Sequence, residues 1–199
     1  MCRSFLSVWY DKENNPIIDG RFNKGVVTLN LPQCAIVADG DINKFWKLLD
    51  ERLELCHKAL KFKTERLLGV KASVAPTLWM YGAYARKDAD DILDDLMVGG
   101  YSTLSLGYIG LYETIKLLTG ESNTKHQNLA LKITRYMADK CEDWNNQENY
   151  GYSLYSTPAE SLCYRFAKLD KEQFGEIKDV TDKGYYTNSH HKQQCGYIK

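Results

Sequence analysis

Short β-branched stretches alternate with longer amphipathic ones along this chain, and the alternation narrows the choice of fold more than any other pattern. Val26 to Leu31 is apolar and β-branched, and Pro32 closes it, which predicts a buried strand. Asp41 can then cap a helix. The helix has apolar residues at helical spacing, namely Ile42, Phe45, Trp46, Leu49, Leu53, Cys56 and Leu60. We therefore expect a strand followed by a helix that buries one stripe.

The alternation continues through most of the remaining chain. We expect strands at 77–84, 101–106, 152–155 and 185–188, and helices at 88–97, 110–118, 124–144 and 158–169. Strands separated by helices imply mostly parallel pairing with right-handed crossovers. With 199 residues and 44% hydrophobic content, the chain suits one α/β domain over residues 1–199.

Charge and cysteine usage exclude several classes of partner. Lysine plus arginine equals aspartate plus glutamate at 26 each, so there is no basic excess for nucleic acid. The sequence shows neither a signal peptide nor an apolar run long enough to cross a bilayer, so we predict no membrane partner. The six cysteines are widely spaced, which favours a reduced, cytoplasmic setting over a disulfide scaffold. His190, His191 and Cys195 would be three metal ligands without a fourth, so we predict no metal site.

Four blocks of residues carry a more specific pattern. They are Cys2-Arg3-Ser4-Phe5-Leu6 with Gly20 to Pro32, then Ser105 to Glu113, Ser156 to Leu162, and Gly184 to Ser189. In this order they resemble the anaerobic ribonucleoside-triphosphate reductases, oxygen-sensitive glycyl-radical enzymes that make deoxynucleotides. The resemblance runs through most of the chain.

The resemblance implies a fold and a partial chain. Members of the family have a ten-stranded α/β barrel of two five-stranded halves, with a radical loop threaded through its centre. This chain would supply about half of that barrel, with mostly parallel strands and the radical-cysteine loop at residues 1–25. It would lack the nucleotide-sensing N-terminal module, the first half-barrel and the four-cysteine zinc module.

The resemblance also assigns site residues. Cys2 stands where the family has the cysteine whose thiyl radical removes the 3′ hydrogen of the ribose, and Ser4 belongs to the same loop and is grouped with the substrate-binding residues. Asn23 matches an asparagine beside the ribose, where a neutral amide bonds hydroxyls without adding charge. From the residues alone, without the resemblance, Asn23 would instead be a turn residue after Gly20.

The Ser156 to Glu160 block has two interpretations. Thr157 as N-cap, Pro158 as the first helical residue and Glu160 as the reciprocal partner would make a capping box and nothing more. In the family this helix start faces the substrate phosphates, which suits its free N–H groups and positive dipole end. The second interpretation makes Ser156, Thr157, Ala159 and Glu160 substrate-binding residues.

The last residues resemble a further family motif. Cys195-Gly196-Tyr197-Ile198 is similar to the core of the glycyl-radical sequence, although Gln193-Gln194 and Lys199 depart from it. Gly196 is thus a possible radical glycine. The family's radical is generated by an activase that uses S-adenosylmethionine and an iron–sulfur cluster, formate is the reductant, and zinc binds outside the region matched here.

Two functional hypotheses follow from the resemblance. In the first, the chain is part of an enzyme that reduces ribonucleoside triphosphates by a thiyl-radical mechanism without oxygen, with the activase as a partner and with no activity of the isolated chain. In the second, it is a non-catalytic fragment or split subunit that docks on a separately encoded first half. A homodimer partner is a further possible cover for its open face.

Overall fold

Three parallel strands form the central sheet of the computed structural model, which describes residues 6, 8–10, 13–18, 20–82 and 86–188. Two short strands, β1 (Trp9–Tyr10) and β2 (Pro16–Ile17), form a separate antiparallel pair. The central sheet has the order β3-β4-β5, with β3 at Phe22–Asn30, β4 at Ser102–Ile109 and β5 at Gly151–Ser156. Both neighbouring pairs are parallel, as the alternation predicts.

Helices connect these strands. They are α1 (Leu31–Ala38), α2 (Ile42–Glu65), α3 (Pro76–Trp79), α4 (Asp94–Met97), α5 (Leu111–Thr119), α6 (Gln127–Gln147) and α7 (Glu160–Phe174), with a 3₁₀ turn at Ala72–Val74. None of the helices within the described residues is both long and apolar enough to cross a bilayer.

One face of the sheet, here called the outer face, carries the main core. Leu104, Leu106 and Tyr108 of β4 pack there against α1, α2 and α6. The stripe predicted for α2 is buried in this core, and the carboxylate of Asp41 accepts the backbone N–H groups of Asn43 and Lys44 as the expected cap. The stripe is shorter than predicted, because Ile42 is 38% exposed.

The opposite face, here called the inner face, is lined by small and polar residues. Side chains alternate between the two faces of a strand, so Thr103, Ser105 and Gly107 of β4 point away from the main core. Thr103 and Ser105 are nevertheless fully buried. A buried polar face on a central strand positions hydrogen-bonding groups, and it is where the candidate site lies.

Three predicted elements are wrong. Residues 77–79 lie in α3 rather than in a strand, because Pro76 starts a helical turn in which Met80 N donates to the Pro76 carbonyl. The helix expected at 88–97 forms only at Asp94–Met97. Residues 185–188 form no strand, since their polar groups bond to the ends of other elements, as described below.

Pro32 marks a boundary, although not the expected one. The strand ends at Asn30, and Pro32 occupies the first turn of α1, a helix that the sequence pattern did not reveal. Proline fits there because the first N–H groups of a helix have no internal acceptor. β3 thus passes directly into α1, without a loop between them.

Candidate active site

Asn23 projects from β3 onto the inner face, and its amide is held at both ends. Its Nδ2 donates to Ser105 Oγ on β4 at 2.5 Å, and its Oδ1 accepts the backbone N–H of Gly25 at 3.0 Å. A break in the strand register between Asn23 and Gly25 allows the second bond. Asn23 lies inside a strand, so the turn interpretation is wrong.

Two threonines meet further along the same face. Thr28 Oγ1 of β3 lies 3.2 Å from Thr157 Oγ1, and the pair sits over Gly107 of β4. A Cβ at Gly107 would lie only 2.0 Å from Thr157 Oγ1 and 2.8 Å from Thr28 Oγ1. Only glycine leaves room for this pair.

The Asn23 amide and the threonine pair are close together. The amide reaches Ser105, and the threonines lie over Gly107, which is the next residue on that face. With a rise of about 3.3 Å per residue, the two positions are about 7 Å apart along β4. The structure therefore brings Asn23 and Thr157 to one surface.

The capping box predicted at Thr157 is wrong. Helix α7 begins at Glu160, its N-cap is Ala159, and no side chain caps it. Thr157 instead continues the sheet, because its N–H donates to the Tyr108 carbonyl and its hydroxyl bonds Thr28. Pro158 therefore precedes the helix and does not occupy its first turn.

The other two residues of that block are also placed. Ser156 Oγ donates to the carbonyl of Asn188 at 2.7 Å, so its hydroxyl supports the chain rather than pointing into the site. Ala159 accepts the backbone N–H of Cys163 in the first turn of α7. The side chain of Glu160 lies outside the described parts, and its role stays a prediction.

A buried carboxylate that the sequence analysis missed binds the segment of residues 186–188. Glu113, fully buried in the first turn of α5, accepts the hydroxyl of Thr187 at 2.8 Å and its N–H at 3.2 Å. Lys183 Nζ pairs with the same carboxylate at 2.5 Å. Gly110 N donates to the Thr187 carbonyl at 2.7 Å. The sequence signal that could have revealed this contact was the position of Glu113 between the apolar residues Leu111 and Ile115.

Asp170 binds the segment of residues 186–188 from the other side. Its fully buried carboxylate accepts Tyr186 OH at 2.8 Å, Asn30 Nδ2 at 2.8 Å and Gln33 Nε2 at 3.0 Å. Burial, together with the charge of Asp170, raises the pKa of Tyr186, which therefore stays a donor. Residues 186–188 are thus fixed across the carboxyl ends of β4 and β5.

Two further polar groups complete the inner face. Arg21 is 8% exposed and donates to the carbonyls of Tyr101 and Gly100 at 3.1 and 3.2 Å, and burial lowers its pKa. Ser153 pairs in register with Ser105, and its buried Oγ makes no hydrogen bond within the described chain. Such an atom is costly unless a ligand or water meets it.

Not every predicted site residue can be located. Cys2, Ser4 and Gly196 lie outside the described residues, as do His190, His191 and Cys195. The four other cysteines, Cys34, Cys56, Cys141 and Cys163, are buried. Burial raises the thiol pKa to about 12 for Cys34, about 11 for Cys56 and about 12 for Cys141. These three thiols stay protonated in their packed positions.

Comparison with known proteins decides the family. The family model described as anaerobic ribonucleoside-triphosphate reductase matches residues 1–195. This chain belongs to that family. Proteins named anaerobic ribonucleoside-triphosphate reductase are similar to it over 195 residues, with 49% identity in Escherichia coli and 48% in Enterobacteria phage T4.

The match covers only part of those relatives. It takes in 96% of this chain but 27% of the Escherichia coli protein and 31% of the phage protein. The chain therefore spans about a quarter to a third of their length.

Solved structures agree on the fold. A Thermotoga maritima anaerobic ribonucleotide reductase with citrate in the active site matches with a TM-score of 0.65 and 19% identity, over 89% of this chain and 33% of that one. The same enzyme in complex with dATP and CTP gives a TM-score of 0.64 at 20% identity, over 87% of this chain and 30% of that one. At this identity the likeness concerns the fold alone.

Proposed function

We propose that this chain forms part of the catalytic barrel of an anaerobic ribonucleoside-triphosphate reductase. The single observation that carries the proposal is the amide of Asn23 on the inner face, bonded to Ser105 two residues before Gly107, over which the Thr28–Thr157 pair lies. Membership of the family and the 49% identity of the Escherichia coli relative support it. The three-stranded sheet would form part of the family's ten-stranded barrel.

Each inner-face group would have a separate task. The amide of Asn23 would bond ribose hydroxyls, since an amide offers both donors and acceptors and adds no charge to a dry radical site. The chain from Ser156 to Glu160 would lie near the phosphates, with Thr157 and Ala159 contributing mainly backbone positions. Because Ser156 Oγ is used by Asn188, its side chain would support this surface indirectly.

Cys2 would carry the radical step, with Ser4 on the same loop. The Cys2 thiyl would take the 3′ hydrogen of the ribose, so that an S–H bond forms as a C–H bond breaks, and would return the hydrogen after reduction. Formate would supply the reducing electrons. An activase using S-adenosylmethionine and an iron–sulfur cluster would generate a glycyl radical, for which Gly196 is the candidate in this chain.

The test is a chimaera of the Escherichia coli relative in which the matching region is replaced by residues 1–195 of this chain. The chimaera is incubated without oxygen with the activase, formate and a ribonucleoside triphosphate, and deoxynucleotide is measured. We expect activity in the chimaera and none with Cys2→Ala. Asn23→Ala should lower kcat by about 100-fold, the scale for a misplaced reacting group.

Two matched variants act as controls. Cys141→Ala removes a buried thiol and Asn43→Ala an exposed amide, and both should leave activity near that of the chimaera. A chimaera that folds but is inactive beside an active parent enzyme would contradict the proposal. So would undiminished activity of the Cys2→Ala variant.

A further inference from the structure

The hydroxyl of Ser105 binds the nitrogen end of the Asn23 amide. Ser105 lies at the middle of β4, is fully buried and points to the inner face. Its Oγ accepts from Asn23 Nδ2 at 2.5 Å, across two strands whose residues are 82 positions apart. An asparagine amide can otherwise flip its nitrogen and oxygen with little change of shape.

The backbone N–H of Gly25 and the hydroxyl of Ser105 bind opposite ends of the amide. The backbone N–H of Gly25 is only a donor, so the atom facing it must be Oδ1. The nitrogen is then directed to Ser105, whose oxygen can accept. Loss of the Ser105 hydroxyl would remove this acceptor and loosen the nitrogen end of the amide.

The surroundings of Ser105 favour a role in the site rather than in packing. The core of the domain lies on the outer face, where Leu104 and Leu106 of the same strand are packed. On the inner face, the residue in register with Ser105 on β5 is Ser153, whose buried Oγ makes no hydrogen bond to any described residue. A buried hydroxyl without a hydrogen bond beside Ser105 is costly for folding alone.

We propose that Ser105 is a positioning residue for Asn23, fixing its amide so that the same atoms always meet the hydroxyls of a bound ribose. The proposal rests on the proposed function for its ligand, but the Ser105–Asn23 contact can be measured without activity. It assigns to Ser105 no contact with the reacting atoms. Its effect on turnover would pass entirely through Asn23.

The first measurement is the NMR spectrum of the Asn23 side-chain NH₂ group in this chain, assigned with the Asn23→Ala variant. Ser105→Ala should shift these signals. It should also reduce the chemical-shift difference between the two amide protons, because one of them loses its acceptor. Ser105→Thr keeps the hydroxyl and should restore them. Ser102→Ala is the matched control, since Ser102 is equally buried on β4 but donates to the Leu96 carbonyl at 2.7 Å.

The second measurement is a double-mutant cycle in the chimaera. Ser105→Ala should lower kcat by about 10- to 100-fold with a smaller change in KM, the scale of a displaced site group. In the Asn23→Ala background the same change should have no further effect, because its target is gone. A residue that only supports the fold would cost the same in both backgrounds.

The outcomes separate this proposal from the one on which it rests. Unchanged Asn23 amide signals in Ser105→Ala, or equal activity losses in the two backgrounds, overturn the positioning role. An inactive wild-type chimaera overturns the proposed function, and the amide signals then decide the role of Ser105 alone. Shifted signals that Ser105→Thr restores and Ser102→Ala leaves in place support it.

Discussion

The carboxylate of Glu113 binds Thr187 twice, through its backbone N–H and through its hydroxyl. The two residues are 74 positions apart in sequence, and the contact is fully buried. It ties the chain that follows α7 to the first turn of α5. The carboxyl ends of β4 and β5 are thereby closed by residues 186–188.

Replacing Glu113 should cost stability. Glu113→Ala leaves the ammonium of Lys183, which is 15% exposed, without its partner, and breaks both bonds to Thr187. We expect the free energy of unfolding to fall by about 3–5 kcal/mol, as when one member of a buried pair is removed. Glu113→Gln should cost about 1–3 kcal/mol, because an amide can keep part of the hydrogen bonding.

The measurement is urea unfolding of the chain followed by circular dichroism. Glu172→Ala is the control, since its pair with Lys168 is 3.9 Å long and about 60% exposed, and such pairs contribute about 0–1 kcal/mol. If Glu113→Ala and Glu172→Ala unfold at the same urea concentration, the buried contact does not have this role.

Gly107 should not tolerate a side chain. Alanine would place a Cβ 2.0 Å from Thr157 Oγ1 and would push the threonine pair apart. We expect Gly107→Ala to lower the free energy of unfolding by about 1–3 kcal/mol, the usual cost of overpacking. Adding Thr157→Ala removes the closest atom, so the double variant should lose less than the sum of the two single changes.

Gly25→Ala is the matched control for Gly107. Its new Cβ would meet Lys63 Cδ at 2.9 Å, and a flexible lysine side chain can move away. Thermal unfolding of wild type, the three single variants and the double variant gives the comparison. A melting temperature of Gly107→Ala equal to that of wild type would mean that the threonine pair can rearrange at no cost.

Periodicity predicted the layers of this fold because burial alone determines them. The stripe of Phe45, Leu49 and Leu53 must be covered, whatever lies opposite. It failed at Thr77 to Trp79, where aromatic composition resembled a strand but Pro76 and a local helical turn prevailed. The hairpin of β1 and β2 was missed as well, since two-residue strands carry no detectable period.

The hydrogen-bond partners of the side chains could not be predicted from the sequence, for a different reason. A threonine before a proline is typical of a helix cap, but Thr157 uses its hydroxyl on Thr28, 129 residues away. Likewise, nothing local shows that Ser105 faces Asn23. The family resemblance selected Asn23, and only the register of β3 against β4 shows what holds it.

Glu148 should make stability depend on pH in the acid range. Burial raises the pKa of its carboxyl. The hydrogen bonds from Tyr152 at 2.6 Å and Lys61 at 3.0 Å, together with the nearby His57, lower the pKa by more than burial raises it. The net shift of the pKa is therefore downward from 4.5. A lowered folded pKa adds stability above the unfolded value. That stability is lost as the pH falls through the folded pKa.

We therefore expect wild type to be more stable than Glu148→Gln at pH 6, and the difference to shrink as the pH falls below 4.5 and through the lowered folded pKa. Urea unfolding at several pH values measures this difference, in which other carboxylates cancel. Glu51→Gln, an exposed change on α2, should show little difference at any pH. A gap between wild type and Glu148→Gln that widens on acidification would contradict the assignment.

The chain by itself should not reduce ribonucleotides. Among the described residues, β3 and β5 each pair on one side only, so the sheet that holds Asn23 has two open edges and does not close around a ligand. Radical transfer needs a site from which water is excluded and in which groups are held to within about 0.5 Å. Anaerobic incubation with the activase, formate and a ribonucleoside triphosphate should therefore give no deoxynucleotide above a Cys2→Ala control. The chimaera, which adds the remaining sequence of the Escherichia coli relative, should give product under the same conditions. Product from the chain alone would show that three strands are enough to enclose the reaction.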